Sequence, residues 1–137
     1  MSRPSGELNR CGGRWTNARF HSFIKSLLRS GTRRWAPITD VKRKASVKRG
    51  VYKCAICGQE GPATIKIDGK RVSNAVVDHI SPVIDPELGF TNWDDVVERM
   101  FCEEDNLQVV CHECHTKKSN EERAAAKARR EREKSNE

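Results

Sequence analysis

At 137 residues, with 36% hydrophobic and 33% charged side chains, the chain has material for one small domain with extensions and only a thin core. No apolar run reaches the length of about eighteen residues that a membrane span needs, and the start MSRPSGELNR lacks the apolar stretch of a secretory signal. A soluble protein of the cytoplasm is therefore expected. The net charge of +7 is unevenly spread. Residues 1–50 carry 13 Lys/Arg against 2 Asp/Glu (+11), residues 51–116 carry 5 against 12 (−7), and residues 117–137 carry 8 against 5 (+3). A basic arm and a basic tail around an acidic middle suit a polyanion held at both ends over a metal-binding centre.

In chain order, residues 1–14 are polar and Gly-rich and read as a loose surface segment. Phe20, Phe23, Ile24, Leu27 and Leu28 recur at helical spacing, which predicts an amphipathic helix capped by Thr16 or Asn17 and ending near Gly31. Pro37 suits the first turn of a second helix over 38–49. That helix would have Ile38, Val41 and Ala45 inward, Lys42, Arg43, Lys44, Lys48 and Arg49 on a cationic face, and Gly50 at its end. Trp35, in the basic linker between them, is expected to pack against protein. Residues 64–67 with Asp68-Gly69 predict a strand and a tight hairpin turn, returning through 71–74. Residues 75–80 make the next strand, which Pro82 stops. After a turn-rich loop over 81–92, Thr91-Asn92-Trp93-Asp94 opens a helix whose stripe of Trp93, Val96, Val97, Met100 and Phe101 reads as core. Glu103-Glu104-Asp105 reads as a loop, and residues 112–134 as a helix with a frayed far end.

Four of the six cysteines fall into two C-x2-C knuckles, Cys54/Cys57 and Cys111/Cys114. Thiolates at that spacing predict a four-cysteine zinc site, which leaves no open position and is therefore structural. The open alternative is that His112 or His115 replaces one cysteine. Cys102 reads as a small buried hydrophobe and Cys11 has no assigned role. Between and beside the knuckles stand Asp78, His79, Asn106 and His115. A strand, a loop and then a helix starting at the second knuckle give a β-β-α arrangement. A divalent metal, a base and a group that orients the base are what phosphodiester hydrolysis needs.

These residues resemble the HNH endonuclease family. The resemblance rests on Cys54-x2-Cys57, on Asp78-His79-Ile80 with Pro82, on Asn106-Leu107-Gln108, and on Cys111-x2-Cys114-His115 with Lys118, over roughly residues 51–119. The insert 82–101, with Gly89-Phe90-Thr91-Asn92-Trp93-Asp94, is similar to that of small HNH proteins of tailed bacteriophages. The resemblance implies an α+β, ββα-metal fold. Its parts would be a basic helical arm (1–50), a nuclease domain (51–120) and a charged helical tail (121–137). It also implies a metal-dependent endonuclease that nicks or cuts DNA with low sequence specificity.

By the same resemblance, His79 is the general base, a role suited to a side chain that ordinarily titrates near ~6.5. Asp78 and His115 hold one catalytic divalent ion (Mg²⁺, or Mn²⁺, Ni²⁺ or Zn²⁺), and Asn106 fixes the backbone or ring orientation of His79. Products would carry 5′-phosphate and 3′-hydroxyl ends, in a host cytoplasm if phage-encoded, with packaging or recombination proteins as possible partners. Two other functions are weighed against it: a non-catalytic zinc-ribbon DNA-binding or adaptor protein, and an RNA-directed nuclease. Lys118, one turn past His115, is within reach of a phosphate, while His21 reads as structural and His112 as off-pattern. One physical condition applies. Adjacent residues on a regular strand point to opposite faces, so Asp78 and His79 meet at one centre only if the strand bends there.

Overall fold

The computed structural model describes residues 6–136, so the first five residues of the polar start and the final residue of the tail lie outside the described part. The chain forms two compact units, one ending at Arg34 and the other beginning at Trp35.

In the first unit a tight turn brings Arg10 and Trp15 together in a β-bridge, with Cys11 in the left-handed region at φ 52°. Helix α1 (Asn17–Gly31) follows, and buried Thr16 caps it by accepting the Arg19 N–H at 3.2 Å. The Arg10 guanidinium lies over the Phe20 ring, and Arg19 lies over Trp15, whose edge meets Phe23. Gly31 belongs to the helix and does not form a left-handed cap. The chain instead tightens into a 3-10 turn over Thr32–Arg34, and the Thr32 hydroxyl donates to the Arg29 carbonyl at 2.7 Å.

The second unit opens with α2 (Ala36–Ala45), Pro37 in its first turn as expected. The helix stops short of residue 49 because Ser46–Lys48 leaves it as strand β1 and turns back at Gly50 (φ 76°) to pair with β2 (Val51–Lys53). A third short strand, β3 (Glu60–Pro62), joins the other edge of β2. Strands β4 (Thr64–Ile67) and β5 (Lys70–Ser73) form a separate two-stranded ribbon. Strand β6 (Val76–His79) pairs antiparallel with β7 (Leu107–Val110). Helices α3 (Trp93–Met100) and α4 (His112–Ser135) complete a mixed α+β fold of four helices and small antiparallel sheets. Helix α4 is regular to Ser135, where a frayed end was expected.

Among the described residues the buried apolar side chains are few: Val96 and Met100 of α3, Leu107, Val109 and Val110 of β7, with Ala75 and Cys54. Helix α2, grouped with the basic arm from charge alone, packs on β7 and belongs to this unit. Trp35 is a packing residue, donating Nε1–H to the Cys102 carbonyl at 2.6 Å with its ring edge-on to Phe101. The loop after β6 is strapped to the far half of α4. Gly89 (φ 75°) lies so close to Arg129 that an added Cβ would sit 2.0 Å from its Nη1, and Glu87 pairs with Arg132 at 3.1 Å. Among the described residues no helix is long and apolar enough to cross a membrane.

Candidate metal centre and active site

The first knuckle is a tight turn closed by Gly58 N–H to the Cys54 carbonyl, with Gly58 at φ 76° as the turn requires. It is docked on β7 by Ala55 N–H to the Val109 carbonyl at 2.8 Å. The second knuckle is the N-terminus of α4 itself: Cys111 is the N-cap, its Sγ accepting the Cys114 N–H. In the first knuckle Cys54 Sγ accepts the Cys57 N–H in the same way. The ligand atoms of Cys54, Cys57, Cys111 and Cys114 all lie within 4.8 Å of one another, and the sulfurs of Cys57 and Cys111 are 3.9 Å apart. Zn–S bonds of about 2.3 Å in a tetrahedron put sulfurs about 3.8 Å apart, so the four cysteines fit a metal such as zinc.

Their protonation is divided. Burial pushes the Cys54 thiol up, but amide donors at Cys57, Cys111 and Ile56 outweigh it and bring it down to about 6. The Cys114 thiol, hydrogen-bonded to Cys111 and partly desolvated, is pushed up to about 12, and burial raises Cys111 as well. Four sulfurs cannot all ionise side by side without a cation, and a dication takes all four as thiolates. No histidine joins this set; His112 Nε2 lies 3.5 Å from the Thr116 hydroxyl instead.

The other expected constellation divides between the two faces of β6. The ladder keeps its register through Asp78↔Gln108 and His79↔Leu107, so the two side chains leave opposite faces. On one face Asp78 Oδ1 is 4.0 Å from His115 Nε2, and Asp78 Oδ2 accepts from Gln108 Nε2 at 3.1 Å and pairs with Lys118 Nζ at 3.1 Å. Lys118 also donates to the His79 carbonyl at 2.9 Å and pairs with Glu122. Desolvation lowers the Lys118 pKa, but the carboxylates of Glu122 and Asp78 outweigh it and raise it overall. Lys118 is thus engaged inside the protein, not extended toward a phosphate.

On the opposite face His79 Nε2 lies 2.9 Å from the Met100 carbonyl at the end of α3. A carbonyl only accepts, so Nε2 carries the hydrogen and Nδ1 of the neutral ring is left with a free lone pair. Asn106 grips the backbone just beyond His79: its Oδ1 accepts the Ser81 N–H at 2.8 Å, its Nδ2 donates to the Ser81 carbonyl, and its own carbonyl accepts from Ile80 N–H. It acts on the backbone, and the ring is held by Met100. Gln108 was quoted in the resemblance without a role, and the Met100 carbonyl was not singled out from sequence. Gln108 was readable as the cross-strand partner of Asp78 once the register was known, whereas a carbonyl carries no residue-type signal. Cys102 is half-buried beside Asn106, its Sγ 3.8 Å from Asn106 Nδ2, and burial raises its thiol pKa. No family model, curated protein or solved structure matches the chain.

Proposed function

We propose that the protein is a zinc-stabilised, metal-dependent HNH-type endonuclease that hydrolyses DNA phosphodiester bonds. The observation that carries this reading is the pairing of the Asp78 carboxylate with the His115 imidazole, 4.0 Å apart, on the first turns of a helix whose cap is a zinc-type cysteine. That carboxylate–imidazole pair is close enough for a small side-chain rotation to bring both onto one divalent ion, and a mixed oxygen and nitrogen set accepts several metals. Held by Asp78 and His115, such an ion would supply Lewis-acid stabilisation of the charge that develops during cleavage. For His79 to serve the same phosphate, the end of β6 must turn its ring toward Asp78 when DNA binds; with Nε2–H given to Met100, Nδ1 of the ring in its neutral form would then take the proton of an attacking water. The new P–O bond would then form as the P–O3′ bond breaks and the leaving 3′ oxygen takes a proton from solvent water, giving 5′-phosphate and 3′-hydroxyl ends. Asn106 keeps the strand end carrying His79 in register.

A second reading has its own support. Asp78 is already paired with Lys118, and the regular ladder holds the His79 ring away from Asp78, as suits a DNA-binding scaffold that does not cut. Supercoiled plasmid separates the two. Wild type, His79→Ala and Asp78→Ala are compared with Mg²⁺, Mn²⁺ or Ni²⁺ and with EDTA, after zinc content has been checked. Metal-dependent nicking lost in both variants, with folding and DNA binding retained, supports the enzyme. Tight binding without cutting under any metal favours the scaffold, and undiminished cutting by His79→Ala removes His79 from the mechanism.

A further inference from the structure

Apart from the sulfurs and the β6 faces, the β4–β5 ribbon carries charge that no ion pair explains. Its turn residues Asp68 (φ 51°) and Gly69 (φ 78°) are both left-handed, a type I′ turn that keeps the natural strand twist. The register sets Lys66 directly opposite Arg71, and Thr64 opposite Ser73, so these four share one face. Ile65, Val72, Ile67 and Lys70 share the other, and Ile65 and Ile67 line a cavity of about 840 Å³ whose far wall includes Val109, Thr116 and Ala124. The ribbon therefore turns an apolar face toward α4 and a basic, polar face away from it.

Two like charges directly opposite on a strand pair destabilise it. Nothing in the protein relieves this pair: among the described residues, Lys66, Lys70 and Arg71 have no ion pair, and all three are exposed. The contrast with α2 is direct. Its Arg43 is paired with Asp40, its Lys44 with Glu104, and its Lys42 lies over the Tyr52 ring. The three ribbon cations are also three of only five in the acidic segment 51–116. At its base the ribbon is pinned by Asn74, which bonds the Ala63 and Pro62 carbonyls and accepts the His112 N–H.

We propose that the β4–β5 ribbon is the element that enters the major groove of duplex DNA, with Lys66 and Arg71 facing the nucleic acid. The inference deepens the DNA-acting reading above and rests on it for the choice of polyanion. A two-stranded β-ribbon fits the B-form major groove, whereas the major groove of duplex RNA is too deep and narrow for side chains to read. A polyanion between Lys66 and Arg71 also turns their mutual repulsion into attraction.

The test is binding of the full-length, zinc-loaded protein and its Lys66→Ala/Arg71→Ala variant to a 20-base-pair DNA duplex without added divalent metal, with salt varied. Thermal melts and plasmid nicking at saturating DNA run alongside. The variant is expected to bind roughly tenfold or more weakly, with the slope of log K against log salt reduced by about 1.8, or 0.9 per lost phosphate contact. It should melt no lower than wild type. Unchanged affinity and salt slope overturn the proposal. Duplex RNA bound as tightly as DNA, and weakened equally by the substitutions, overturns the major-groove placement. Weakened DNA binding in a protein that never nicks upholds the ribbon and fails the nuclease reading instead.

Discussion

The two faces of β6 receive neighbouring residues and put them in different company. Asp78 enters a polar cluster, with Gln108 of β7 and His115 and Lys118 of α4 around its carboxylate, while His79 meets a backbone carbonyl at the end of α3. The first face is held by charge and by the zinc-type knuckle that starts α4. The second is held by packing, because the end of α3 is fixed by Trp35 against Phe101 and the Cys102 carbonyl. The lesson is one of periodicity: residues adjacent in a motif are on opposite sides of a strand unless the backbone deforms.

The largest expected effect removes the support common to both faces. Cys111→Ser, or chelation of zinc, should unfold the second unit, since folding free energy from structural zinc runs to about 10 kcal/mol or more in small domains. Circular dichroism melts with and without chelator, set against one zinc per chain by elemental analysis, check this. Retained cooperative melting at an unchanged temperature would show the sulfurs to be dispensable.

The next effect is confined to the α4 face. Asp78→Asn removes one of the two carboxylates paired with Lys118, leaving Glu122, and should cost about 1.5–3 kcal/mol in urea unfolding while the His79 to Met100 hydrogen bond stays intact.

A pH series reports on the same face. The folded-state pKa of Lys118 is raised above its ordinary 10.5, so its stabilisation is complete below 10.5 and is lost as pH rises through the higher folded value. Urea unfolding between pH 9 and 11.5 should show that loss in wild type and a smaller one in Asp78→Asn.

The smallest effect belongs to the α3 face. Trp35→Phe keeps the ring against Phe101 but drops the hydrogen bond to Cys102, at a cost of about 1 kcal/mol. Imidazole nitrogen shifts should then show the Nε2–H form of His79 dominant in wild type and mixed with the other tautomer in the variant.

How much of this was readable beforehand depended on how local each signal was. The knuckles, the Asp68-Gly69 turn and the helices α1 and α3 are encoded within a few residues and stand where the pattern put them, although Phe23, Leu27 and Val97 of the two apolar stripes are exposed. Strand β3 was missed because Glu60-Gly61-Pro62 has no strand composition and exists only as a partner of β2. The end of α2 was placed too late because Ser46-Val47-Lys48 continues a charged pattern that is neutral between helix and strand; pairing with β2 decides it. At the candidate site, it was the family resemblance that paired Asp78 with His115, which lie 4.0 Å apart. The company of His79 depended on ladder regularity and on a carbonyl, neither of which a one-dimensional pattern contains.

The sulfur cluster has a further consequence in polymer terms. Cys57 and Cys111 meet across 54 positions, so the metal-type site closes most of the second unit's sheet residues and all of α3 into a ring of chain. The entropy of closing such a ring grows only with the logarithm of its length, about 0.6 kcal/mol for each doubling. Adding a few residue pairs to the β4–β5 ribbon, or lengthening the strap that crosses Arg129, changes that closure term by a few tenths of a kcal/mol at most. The reach of the ribbon is thus a quantity this architecture can vary almost freely, while the positions of Asp78 and His115 stay fixed by the knot of sulfurs at its root.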